Sequence, residues 1–171
     1  MTPPALRVIP GALELDAGWS WFCSHCAAAP SEKVSPLARM CRSCGMGLVL
    51  ETRSEATPDC DDAFLVVDSR MTVQAMSWRA GELLNVIEED VIDRPVAHVL
   101  TAPEAETHGP EDLITLLGAA IADSDRIHSL SVRPLGAFGV RVVARIAPCG
   151  PPRAALVVLG DRAPRQAFRI V

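Results

Sequence analysis

Four cysteines stand in two pairs, Cys23-Ser24-His25-Cys26 and Cys41-Arg42-Ser43-Cys44, with fourteen residues between the pairs. Two thiolates at this spacing leave one tight turn side by side, and two such turns can close a tetrahedral shell round a single cation. Soft sulfur donors select zinc, or iron in the same geometry, over magnesium and calcium. Cys23, Cys26, Cys41 and Cys44 are therefore the expected ligands of a structural Zn2+ ion. A catalytic metal needs an open coordination position, and four thiolates leave none. The competing chemistry is a C-x-x-C redox pair, but that motif sits between a strand and a helix of a βαβ unit and needs only one pair. His25 lies inside the first turn and is expected as an exposed turn residue rather than a ligand.

The second pair runs on as Gly45-Met46-Gly47-Leu48-Val49-Leu50-Glu51, where glycine can take the positive backbone angle a metal knuckle needs before the chain enters an apolar strand. This run resembles the second knuckle of the zinc ribbons found in transcription and translation proteins. The first knuckle departs from it, with Ala27 after Cys26. A segment as short as residues 18–52 buries too little apolar surface to fold unaided, so the metal is expected to supply its folding free energy. Trp19, Trp21 and Phe22 precede the first knuckle in strand-like alternation and are expected to dock the ribbon on the next domain.

No catalytic constellation stands out, and the chain is not expected to be an enzyme. Glu88-Glu89-Asp90 and the acidic stretch 104–106 suit helix starts and solvated loops, since nothing near them desolvates one carboxyl against another. G-x-S-x-G, H-E-x-x-H and G-x-x-x-x-G-K-S are all absent. His98, His108 and His128 are scattered over a helix, a loop and a strand, and Met71 and Met76 read as core filler.

Length and charge set the frame for these residues. The chain has 171 residues with 49% hydrophobic and 22% charged side chains, the balance of an ordinary globular protein. No apolar run reaches the roughly 18 residues of a spanning helix and no signal-peptide pattern opens the chain, so a cytoplasmic location without membrane association is expected. The net charge of −5 makes nucleic acid an unlikely partner, because such affinity rests on clustered Lys and Arg. Residues 1–58 carry five basic and five acidic side chains, and four thiolates on a divalent ion add further negative charge.

The elements fall into an N-terminal extension (1–17), the ribbon (18–52), a polar linker (53–61), a second unit (62–162) and a tail (163–171). In the second unit, 63–67 and 71–76 read as a β-hairpin about Asp68-Ser69-Arg70. Short helical segments come next, at 79–85, 88–92 and 95–100. A longer helix is expected over 110–122, with Pro110 at its first position and Glu111 and Asp112 near its positive end. Three strands, 127–132, 140–146 and 154–159, close the unit. The fold class is α+β: a small antiparallel ribbon, then a five-stranded antiparallel sheet with helices on one face.

This order resembles a PAS domain. Residues 62–73 are similar to that family's first hairpin, and Ala80-Gly81-Glu82-Leu83-Leu84-Asn85-Val86 with Asp93-Arg94-Pro95-Val96 is similar to its helical connection. The resemblance implies a sensor and interaction domain able to enclose a small cavity, hence a small-molecule ligand, and commonly dimeric. No flavin is expected, because Val96 or a neighbour stands where a flavin-reactive cysteine would. No haem is expected, because 111–122 holds no histidine. The PAS strand order also implies that Cys60 and Cys149 lie at opposite ends of the sheet, too far apart for a disulfide. Together these readings describe a signalling module whose output passes through association with itself, as a homodimer through the PAS-like domain, or with a partner protein. The alternatives are a nucleic-acid-associated regulator using the ribbon and a cofactor-dependent redox sensor.

Overall fold

Strands Trp19–Cys23 (β1) and Val49–Arg53 (β2) pair antiparallel from Trp19 opposite Arg53 to Cys23 opposite Val49, and form the ribbon's hairpin. The computed structural model describes residues 18–31, 39–101, 113–122, 125–137 and 140–160. The N-terminal extension, the helix start at 110–112, the acidic stretch 104–106, His108 and the tail lie outside the described residues.

The expected hairpin is present as Ala63–Val67 (β3) and Val73–Met76 (β4). Asp68 builds its turn, accepting from the amides of Arg70 at 2.9 Å and Thr72 at 3.0 Å. Partial burial opposes its ionisation, but those two amides and the Arg70 guanidinium hold its carboxyl below the usual range. Helices Trp78–Leu84 (α1) and Glu88–Val91 (α2) and a 3₁₀ turn at Val96–His98 form the connection, and the longer helix is described as Leu113–Ile121 (α3). A two-residue strand, Leu100–Thr101 (β5), lies between them and has no sequence signal of its own. The last strands are His128–Pro134 (β6), which pairs with β5, Val142–Gly150 (β7) and Ala154–Leu159 (β8).

Among the described residues the sheet has eight strands, not the five expected. Five of them run β4-β3-β8-β7-β6, all antiparallel. The extra strands come from the ribbon and from β5. The long strand β7 makes this possible: its first half pairs with β6, while Glu51 and Thr52 of β2 pair with Gly150 and Cys149 at its far end. Thr52, fully buried, adds a hydrogen bond from Oγ1 to the Pro148 carbonyl at 2.8 Å. The segment expected as a linker begins with a 3₁₀ turn, Ser54–Ala56, whose Ala56 is fully buried and whose Glu55 carbonyl accepts from Arg145 at 3.2 Å.

Both faces of the sheet are covered. On one, Leu65, Val67, Ile146 and Val157 pack with Ala80, Leu84, Leu116 and Leu117 of the helices. On the other, Phe64, Val66, Leu156 and Val158 pack with Phe22, Ala27 and Leu50 of the ribbon. Met76 is buried in the helical-side core and Met71 packs against it, as expected of filler.

Ser77 ties the hairpin to α1. Its Oγ accepts from the amides of Phe64 at 2.9 Å and Ala80 at 3.2 Å, and donates to the Asp62 carbonyl at 3.0 Å, with the side chain almost wholly buried. Ser77→Ala removes the helix cap and leaves buried backbone groups without a partner, so a loss of about 2 kcal/mol is expected in urea denaturation.

Candidate metal centre

Each cysteine pair is carried by a backbone turn of one design. The amide of Ala27 donates to the Cys23 carbonyl at 3.0 Å, and the amide of Gly45 donates to the Cys41 carbonyl at 2.9 Å. Both turn-closing residues are left-handed, Gly45 at φ +69° and Ala27 at φ +60°. An alanine there carries strain of roughly 1 kcal/mol. Its methyl is buried in the cluster that joins the ribbon to the sheet, which offsets that strain and explains the departure from glycine.

The turns bring all four expected sulfurs together, within 4.8 Å of one another. Cys23 and Cys44 Sγ are 3.7 Å apart, and Cys26 and Cys41 Sγ are 3.9 Å apart. A tetrahedron with metal–sulfur bonds of about 2.3 Å has edges of about 3.8 Å. The sulfur positions therefore fit one thiolate-bound cation. Among the described residues no other group of three or more His, Cys, Asp or Glu side chains is close enough to hold a metal ion.

Backbone amides point at the sulfurs. Those of His25 and Cys26 approach Cys23 Sγ at 3.4 and 3.5 Å, and that of Gly47 approaches Cys44 Sγ at 3.5 Å. Burial pushes the Cys23 thiol up despite its amides, and burial likewise raises Cys26. Cys44 goes the other way: against its slight burial, the amides of Gly47 and Met46 and the neighbouring thiols bring it down to about 6. Cys41 is also lowered, against burial, chiefly by the amides of Cys44 and Ser43. Four thiolates packed this closely repel one another, and a bound cation removes that penalty.

Gly47 has a second role, set by space rather than backbone angle. A Cβ there would run into Cys23 Sγ and come within 2.8 Å of the His25 amide nitrogen. Among the described residues nothing lies within 4 Å of a Cβ at Gly45. Gly47→Ala is expected to weaken metal retention in chelator competition at least tenfold, because the two knuckles must part. Gly45→Ala costs only backbone strain of about 1 kcal/mol and falls short of that. In the sequence the Gly45-Met46-Gly47 run signals only a turn; the close approach exists only with both knuckles in place.

His25 stays out of the sulfur cluster, as expected, but it is half-buried rather than exposed, and its buried Nδ1 has no partner among the described residues. His98 is exposed on its 3₁₀ turn, and His128 lies on β6. Cys60 is exposed and Cys149 buried, both free. The register separates them as the PAS strand order implied: Ala63, three residues after Cys60, lies level with Ala144 across β8, while Cys149 pairs at the opposite end with Ala154. Burial pushes the Cys149 thiol up.

The fold and the site define an antiparallel sheet, helical on one face, with a four-cysteine ribbon sealed on the other. No protein-family model and no curated protein matches the chain. Among solved structures it is similar to the PAS domain of an HTR-like protein from Haloarcula marismortui. The identity is 17% and the TM-score 0.46, over 59% of this chain and 81% of that one. It is also similar to the E. coli DhaR(N)–DhaL complex, at 14% identity and TM-score 0.40, over 60% of this chain and 32% of that chain. Among the described residues no helix is long and apolar enough to cross a membrane.

Proposed function

We propose that the chain is a non-enzymatic sensor and interaction module, in which a structural zinc ion held by Cys23, Cys26, Cys41 and Cys44 keeps the ribbon seated on a PAS-like sheet. Its output passes through association with a second copy or with a partner protein. The observation that carries this reading is the double use of the ribbon: the hairpin that gathers four sulfurs also buries Phe22 and Leu50 against Phe64 and Leu156 of the sheet. A metal closed off by four thiolates has no place for a substrate, so its work is to hold a surface in shape. Zinc is assigned over iron because a purely structural role needs no redox change.

Apolar side chains left exposed support association. Leu135, Val140 and Val143 cluster about the β6–β7 end of the sheet and are the surface we assign to a second copy. Mass spectrometry of the intact protein under non-denaturing conditions tests the whole reading. One zinc per chain and a dimer that Val143→Glu dissolves are the expected results. A metal-free chain, or iron with a redox-active absorption band, overturns the zinc assignment. A monomer at every concentration, with no partner retained on an affinity column, overturns the association.

A further inference from the structure

On the helical side of the ribbon, an open groove of about 780 Å³ runs between the first knuckle and α1 and α2. His25 forms one wall, and Trp78 and Ile87, both more than half exposed, form the apolar part of the other. The rest of the lip is acidic, with Glu82, Glu88, Glu89 and Asp90 all exposed. Among the described residues no Lys or Arg lines it. The groove is thus a concave surface with an aromatic anchor point, a second apolar contact and four carboxylates of one sign.

The structure already shows how this surface holds a guanidinium. Arg79 lies 4.2 Å over the Trp78 ring and reaches Glu82 Oε2 at 2.9 Å. Stacking on an aromatic face combined with a carboxylate contact is the pairing that favours arginine over lysine. Among the described residues, the lining supplies no such cation to the groove's own carboxylates, Glu88, Glu89 and Asp90.

We propose that this groove is the docking site for a basic, arginine-bearing peptide segment of a partner protein, with an apolar side chain set between Trp78 and Ile87 and guanidinium groups on Glu88, Glu89 and Asp90. The proposal names the partner chemistry for the association argued above and rests on that reading. It makes His25 a contact between the metal knuckle and the partner, so that loss of the ion reshapes one wall of the groove.

The test uses the full, zinc-loaded chain and a short fluorescein-labelled peptide of arginine and leucine, followed by fluorescence anisotropy. Binding that weakens with added salt is expected, and the same peptide with glutamate for arginine does not bind. The doubly substituted E88K/E89K chain, altered only at exposed positions, is expected to lose at least tenfold in affinity. Trp78→Ala is expected to lose about as much. Glu55→Lys, an exposed carboxylate away from the groove, leaves binding unchanged.

Equal binding by all these variants means general attraction to an acidic chain and overturns the proposal, as does absence of binding by the parent chain. Residues 161–171 contain Arg162, Arg165, Arg169 and Phe168, so the chain's own terminus is the rival occupant. Binding that appears only after deletion of 161–171 assigns the groove to that terminus and overturns the partner. If the peptide fails while an affinity column still retains a partner, the groove is wrong and the interaction-module reading stands.

Discussion

Stripping the metal is expected to make Cys149 reactive. In the zinc-loaded chain, iodoacetamide should label Cys60, which is exposed, and leave Cys149, which is buried and whose thiol burial holds in its neutral form. The shield over Cys149 is the ribbon: Cys149 packs in the cluster that contains Phe22, Ala27 and Leu50, and it pairs with Thr52 across β2 and β7. Two five-residue strands cannot stay folded in water on their own account, and in small four-ligand domains metal binding supplies on the order of 10 kcal/mol. With a chelator present, the ribbon opens, and Phe64, Val66, Leu156 and Val158 face water on one side of an otherwise intact sheet. The alkylation rate at Cys149 should then rise by on the order of a hundredfold or more, in step with binding of a hydrophobic dye. Peptide mapping of the label reads the two cysteines separately. Equal labelling of Cys149 with and without chelator would show that the ribbon covers the sheet without the ion, and the central structural claim would fail.

The four-cysteine cluster was readable from the sequence because its members are local: each pair sits in one turn, and only the closing of two turns on each other is long-range. The hairpin of β3 and β4 was readable for the same reason, through a short apolar, β-rich run that stops at the turn signal Asp68-Ser69-Arg70. What the sequence hid was the seat of the ribbon. Residues 53–61 have the polar composition of a linker, and composition is blind to Thr52 and Ala56, each wholly buried just before and within that stretch. A signal was nevertheless present. Ala63-Phe64-Leu65-Val66-Val67 and Ala154-Ala155-Leu156-Val157-Val158-Leu159 are unbroken apolar runs, and every residue in both is buried. A sheet wet on one face alternates, so strands apolar at every position must be covered on both sides. Helices account for one cover; the ribbon was the one remaining unit able to supply the other. The third extra strand, Leu100–Thr101, is too short to leave any pattern, and its existence depends on β6 lying beside it.

Phe22→Ala separates the two jobs of the ribbon and is expected to cost about 3–5 kcal/mol, among the largest losses available to a single substitution here. Phe22 is fully buried, with its ring edge-on to Phe64 at 5.9 Å between centroids and 84° between planes. An aromatic pair of this geometry contributes about 0.5–1.5 kcal/mol beyond its buried area. Strand alternation turns Phe22 toward the sheet and its neighbours Trp21 and Cys23 toward the sulfur cluster, so truncating Phe22 removes no ligand and touches no wall of the metal site. The expected result is a chain that still binds one metal ion but unfolds at lower denaturant, with Cys149 alkylated readily while the ion remains bound. The same substitution leaves the β2–β7 pairing and the Thr52–Pro148 hydrogen bond in place, so the ribbon stays tethered at its edge while its face lifts from the sheet. Metal content measured alongside alkylation decides the matter. If Phe22→Ala releases the ion as completely as loss of a cysteine does, coordination depends on docking, and the ribbon is not a metal-held cover but one more part of a single cooperative core.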